Sequence, residues 1–307
     1  MAKWQANGIL VLMALIWSAS FIMMKNTLQY ASPLAFVTLR FAVAAFLLAA
    51  VFYKKLRLML NKRVIIYCFI LGTFNTGAIL LQRVGIKYTS ASNSAFITAF
   101  SVLLVPIFSA AVLRKKPCLS SIAGVLIAFA GLLFITGGLD TALNIGDFYT
   151  FLCAVCISVH MILVVKFVKK ADSLLLCIGQ PIAGAFFLFT MCLLFDPASL
   201  PAVTFSKELV ISLLYIGGLC TALNNSAQIV VQKYVNPTSV ALILLLEPVF
   251  TLILALIFRG PDGSTEVLTL FKALGAFLII AGAVVSEIDL FGMLKRKKEV
   301  CLGQELK

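Results

Sequence analysis

Charge is what this 307-residue sequence has least of. Asp, Glu, Lys and Arg together make up 12% of it, about half the share usual in soluble domains. Mean hydropathy is +1.09. That combination excludes an ordinary soluble domain and points to a polytopic membrane protein. Catalytic signatures are absent too. The single histidine, His160, rules out an H-E-x-x-H metalloprotease helix, and there is no G-x-S-x-G elbow and no P-loop glycine pattern. An intramembrane enzyme and an ATP-driven pump therefore have nothing to rest on, and no cofactor is implied. No stretch between apolar runs is long enough for a separate soluble domain.

The net charge of +13 and pI near 9.5 do not indicate nucleic acid. The basic residues sit in short runs between apolar segments, as the excess of Lys and Arg on cytoplasmic connections predicts. The eight cysteines are scattered, six of them inside apolar runs. Buried cysteine acts as a small hydrophobe, so no disulfide framework is expected. Cys153, Cys156 and His160 share one helix face, but three ligands on one helix without a fourth make a poor metal site. The N-terminus has a basic start and an apolar core without a small-residue cleavage site, and reads as a retained first helix.

A membrane helix needs about 20 mostly apolar residues. About ten segments qualify: Ala6–Met24, Pro33–Tyr53, Val64–Gly85, Ala91–Leu113, Leu119–Thr136, Asp147–Val165, Ser173–Phe195, Glu208–Val231, Thr238–Phe258 and Phe271–Ile288. Turn residues separate them, among them Ser32-Pro33, Gly137-Gly138, Asp196-Pro197 and Asn236-Pro237. The connections "KKLRLMLNKR" and "RKK", the lysines 166, 169 and 170, and the tail "KRKK" hold 15 of the 25 basic residues. That bias predicts a multi-pass protein of the cell membrane with both termini in the cytoplasm.

The sequence also repeats. "ASPLAFVTLRFAVAAF" (Ala31–Phe46) aligns with "ADSLLLCIGQPIAGAF" (Ala171–Phe186), setting Arg40 on Gln180. Ser18 falls on Ser158, Gly72 on Gly218, Gln82 on Gln228, and the pair Gly124 and Gly131 on Gly275 and Gly282. Each half holds five spans, so the second half enters the membrane upside down. The charges follow: the basic connection after span two corresponds to "DPASLPAVTFSKE" after span seven. The expectation is an all-α integral membrane protein of two inverted five-helix repeats, residues 1–141 and 142–290, followed by a basic tail over 291–307. Inverted repeats characterise secondary transporters, with a site near the midplane between the halves.

With these residues in view, the sequence resembles the EamA-type members of the drug/metabolite transporter superfamily across nearly its whole length. The carrying motifs are "IWSASFIMMK", "TLRF", "YTSASNSAFITAFSVLLVPIFSAAVLRKKP", "GD" and "NPTSVALILLLEPVFTLILALI". The resemblance implies a ten-helix exporter or exchanger of amino acids, drugs or other metabolites. It implies a cavity lined by spans one, three, four, six, eight and nine, with spans two and seven as gates. Pro181, after Gln180, departs from the family pattern and predicts a kink in span seven.

Polar groups inside a membrane are costly and mark pathways or paired networks. The charged ones are Arg40, Arg83, His160 and Glu247; Lys25, at a helix end, is expected to snorkel to the outer interface. Glu247 precedes Pro248, which frees a backbone carbonyl one turn earlier. Its carboxylate either carries a proton or a substrate amine, or pairs with an arginine. Pro106 gives span four a comparable break without the acid. His160 is a second proton-carrier candidate. Spacing puts Asn75 and Gln82 on one face of span three, and Asn224 or Asn225 with Gln228 on one face of span eight. These amides either glue helices or line a wet cavity. Trp17 and Ser20, with Asn93, Thr98 and Ser101, complete the candidate lining. Arg40, set against neutral Gln180 on the gating pair of spans, is expected outside the lining, holding a gate through a carbonyl or carboxylate. The expected partners are a small-molecule substrate and the lipid bilayer, with proton or exchange coupling. The alternative is a membrane sensor or interaction protein that transports nothing.

Overall fold

The computed structural model describes residues 1–25, 27, 29–55, 61–85, 88–89, 91–114, 119–136, 144–257 and 268–288. The side chains of residues 21, 22, 24, 25, 91–93, 95, 136, 255, 287 and 288 are excepted. Asn93 and Lys25 as side chains, the "KRKK" tail, and parts of the "KKLRLMLNKR" and "RKK" connections thus lie outside the described residues.

Among the described residues every regular element is helical. The order is α1 (Lys3–Lys25), α2 (Pro33–Val51), α3 (Lys62–Gly85), α4 (Ala91–Ala99), α5 (Ser101–Leu113), α6 (Leu119–Thr136) and α7 (Ile145–Phe167). Then come α8 (Ser173–Phe195), α9 (Lys207–Leu213), a π-helical segment (Leu214–Asn224), α10 (Asn225–Val231), α11 (Pro237–Leu244), α12 (Glu247–Ile257) and α13 (Leu270–Ile288). Seven stretches are long and apolar enough to cross a membrane, and Leu119–Ile135 and Leu270–Ser286 are shorter apolar helices. Large apolar side chains such as Phe46, Phe186, Leu194, Phe195 and Leu270 stand exposed on the outside, as lipid-facing residues do.

The helix starts have local causes. Ser32 caps α2, its hydroxyl accepting from the Ala35 N–H at 3.2 Å, with Pro33 at the first helical position. Asn144 and Asp147 form a reciprocal capping box at α7, and Thr89 donates to Asp147 at 2.6 Å. The "GD" of the sequence is therefore structural: Gly146 lies against Gly85, where a Cβ on Gly146 would stand 2.6 Å from the Gly85 carbonyl oxygen.

Helices α6 and α13 meet along a glycine seam. A Cβ on Gly124 would lie 2.5 Å from the Gly282 carbonyl, and one on Gly131 would lie 2.6 Å from that of Gly275. The reverse contacts hold too: Gly275 meets the Gly131 carbonyl and Gly282 that of Gly124, each at 2.5 Å. Small residues permit this backbone approach, which dispersion forces then stabilise. A similar approach joins α3 to α8, where a Cβ on Gly72 would lie 2.8 Å from the Gln180 carbonyl oxygen.

Three spans are interrupted. Between α4 and α5, the Phe100 N–H bonds the Ile97 carbonyl, one residue tighter than the α-helical pattern. Between α11 and α12, the Leu246 N–H likewise bonds Ile243, and Pro248 sits at the start of α12, where its missing donor costs little. Pro106 lies inside α5 and Pro181 inside α8, without ending either. The third interruption, the π segment, was not readable from hydropathy.

Candidate functional site

Helices from both halves enclose a cavity of about 520 Å³, a size typical of small-molecule sites. Its floor and walls are mostly apolar, with Ile79, Val102, Met161 and Leu245 among the lining residues. Against that background the polar residues are few. Helix α1 supplies Trp17 and Ser20, α3 supplies Asn75 and Gln82, and α4 and α5 supply Thr98 and Ser101. Helix α7 adds His160, α10 adds Asn225 and Gln228, and α12 adds Glu247 and Pro248.

Many of these groups are held in place. The Trp17 indole N–H donates to the Cys220 carbonyl at 3.1 Å, which fixes the ring plane at the wall. Ser20 donates to the Trp17 carbonyl at 2.7 Å. The Gln82 amide donates to the Thr98 hydroxyl at 3.1 Å, tying α3 to α4. Glu247 is positioned by the start of α12, and Thr251, also on the lining, donates to its carbonyl at 2.9 Å.

The structure differs from expectation at two residues. Arg40 lines the cavity rather than standing outside it. Its Nε donates to the Thr221 hydroxyl at 2.5 Å, and that hydroxyl donates to the Ile216 carbonyl at 2.8 Å. The five-residue reach from Thr221 to Ile216 belongs to the π segment, whose widened turn presents Thr221 to the arginine. Such segments recur at functional sites. Glu247 is near enough to Arg40 for their charges to attract. Asn224 is the second difference: it is buried, donates to the Met13 carbonyl at 3.1 Å, and does not reach the lining. Asn224 has helical backbone and stands one α-helical turn before Gln228, but its bond to the Met13 carbonyl on α1 holds it away from the cavity. The amide that joins Gln228 at the wall is Asn225.

Gln180 does not line the cavity. It stands behind the wall, fully enclosed, its Oε1 hydrogen-bonded to His160 Nε2 at 3.0 Å. The repeat partner of Arg40 thus positions the histidine, which in turn faces the cavity. Pro106 is buried within α5 away from the lining.

Three polar residues outside the predicted set also face the cavity: Arg83, Thr251 and Lys272. Arg83, near the end of α3, is 6% exposed and packs under the Phe36 ring, with its guanidinium carbon 5.7 Å from the centroid. The signal that could have found it is its position among the four charged side chains inside apolar spans.

A model of the EamA-like transporter family matches residues 5–137 and again 144–287. The chain belongs to the EamA-like transporter family. Relatives in this family share its length. An uncharacterized transporter of Archaeoglobus fulgidus is 29% identical over 276 residues, 90% of this chain and 83% of its own. The uncharacterized inner membrane transporter YhbE of Escherichia coli K12 is 27% identical over 315 residues, covering 96% and 97%. YyaM of Bacillus subtilis, an uncharacterized transporter, is 26% identical over 280 residues, covering 87% and 88%. One solved crystal structure superimposes with a TM-score of 0.75 at 17% identity, covering 92% of this chain and 96% of that one. The fold is shared with that protein. The chain is a multi-pass membrane transporter.

Proposed function

We propose that this EamA-family protein is a secondary active transporter that exports or exchanges a small metabolite by alternating access, using the polar-walled cavity as its substrate site. The observation that carries the reading is the cavity itself. It gathers Trp17, Gln82, His160, Gln228 and Glu247, from helices of both halves, around a volume fit for one small molecule. Polar groups so placed in a membrane bundle are expensive unless they serve a path.

The double family match supports two five-helix repeats, as does the reciprocal glycine seam, whose paired contacts obey a two-fold relation. The odd span count per repeat makes them inverted, and alternate rocking about a midplane site follows. Glu247 and His160 are the titratable lining groups suited to carry a coupling proton. The Arg40–Thr221 bond ties α2 to the π segment and would have to change as the cavity opens. The charge bias of the connections supports a cell-membrane orientation with both termini cytoplasmic.

Proteoliposome uptake tests this directly. Purified protein is screened against amino acids, organic acids, nucleosides and cationic drugs at two pH values. Uptake above protein-free vesicles for at least one class is expected. Uptake of none by well-folded protein would favour a sensor or interaction protein.

A further inference from the structure

Several donors on the cavity wall are already used. Arg40 Nε is spent on Thr221, Gln82 Nε2 on Thr98, and Trp17 Nε1 on Cys220. Two side chains are different. Arg83 has Nε and Nη2 buried with no hydrogen-bond partner, and Asn75 has Nδ2 in the same condition. Both residues lie on α3 and both line the cavity. Leaving such groups unpaired is costly, most of all for a charge, so their partner is to be sought in what the cavity holds.

The unused atoms are all N–H donors, so the missing partner is an acceptor. The charge balance says more. Glu247 is the lining acid, and its attraction is felt by Arg40. The charge that acts on Arg83 is the repelling one of Arg40. The lining thus carries three cations, Arg40, Arg83 and Lys272, against that one acid, and among the described residues no carboxylate acts on Arg83. The Phe36 ring covers one face of the guanidinium, which orients its edge. That edge is a planar fork whose geometry matches a carboxylate. The remaining wall is apolar, with Ile79, Val102 and Ile157 offering surface to a hydrocarbon body.

We propose that Arg83 and Asn75 form the docking site for the carboxylate of an organic monoanion, whose apolar body fills the cavity. Calling this ligand the substrate rests on the transporter reading of the same cavity; the binding site itself does not.

The test is ligand-dependent thermal unfolding of the full-length protein in neutral detergent, titrated with sodium benzoate, phenyl phosphate or benzylammonium at matched ionic strength. Benzoate should raise the transition temperature saturably, and benzylammonium should not. Arg83→Gln should weaken half-saturation by about tenfold or more, the loss of a charge-assisted bond. Arg83→Lys should fall between, having charge without the fork. Exposed Arg63→Gln should match the wild type. Should Arg83→Gln not fold, Asn75→Leu carries the test, with a loss of about threefold or more. Stabilisation by benzylammonium alone, by phenyl phosphate alone, or only by added phosphatidylglycerol would overturn the proposal. So would an undiminished benzoate response in both variants. Benzoate binding without uptake in proteoliposomes defeats the transporter reading and leaves the site; uptake of cations alone, without benzoate binding, does the reverse.

Discussion

The α6–α13 seam and the cavity are both places where helices meet, and they treat backbone and polar atoms in opposite ways. In the seam, glycines bring carbonyls to within a Cβ radius of the facing helix, and no space is left for a ligand. At the cavity, three of the contributing spans are broken or widened, and buried donors of two lining residues, Asn75 and Arg83, have no hydrogen-bond partner. Close packing without chemistry holds the bundle together. Loosened helices with unpaired donors are where function belongs, since stability is given up there.

The largest expected effect comes from closing the seam to itself. Gly131→Val forces a side chain into the Gly275 carbonyl and should cost more than the roughly 1–3 kcal/mol of ordinary overpacking. Thermal unfolding in detergent checks it, against Gly77→Ala. Gly77 has nothing within 4 Å of an added Cβ, so that variant should be neutral or slightly more stable. Equal losses for both would erase the distinction drawn here.

Next is Glu247→Gln at the cavity. Folding should survive, because the replacement is nearly isosteric. Transport in proteoliposomes should fall by about tenfold or more, the scale on which a lost charge interaction acts, and its pH dependence should flatten. Unchanged transport at every pH would remove the acid from the mechanism. Arg40→Gln should slow transport several-fold, about the effect of one lost polar contact, by freeing Thr221 and the π segment. The rank order of substrates should hold, and a changed order would put Arg40 in contact with substrate.

The smallest effects separate two adjacent amides. Asn224→Leu removes an interhelical bond worth about 0.6 kcal/mol and should lower the unfolding temperature slightly, without moving half-saturation. Asn225→Leu should do the opposite, weakening half-saturation by about threefold. Paired melting and uptake curves decide it.

The neighbouring pair also shows how far the sequence could be read. Helix positions were legible, because a span's hydropathy is local: α2, α6 and α8 start where the apolar runs start. Trp17, Asn75, Gln82 and Glu247 were visible as polar groups stranded in apolar runs. The choice between Asn224 and Asn225 was not, since both lie within one helical turn of Gln228 and only the tertiary contact of Asn224 with Met13 separates them. Arg40 was assigned to a gate by its neutral repeat partner. What brings it to the cavity is the Thr221 hydroxyl, exposed to it by the widened turn of the π segment. Arg83 stood near a helix end, where cations commonly reach the interface. In the folded bundle it is instead buried, with the Phe36 ring packed against its guanidinium.

The most direct measurement of the central claim blocks the cavity and leaves the seam alone. Asn225→Trp fills the wall with an indole. Its uptake of the compound carried by the wild type should be measured in proteoliposomes, with matched insertion and an unchanged unfolding temperature. The account predicts uptake at the level of protein-free vesicles. Wild-type uptake by a correctly folded Asn225→Trp protein would contradict it, because the substrate would then be passing by another route.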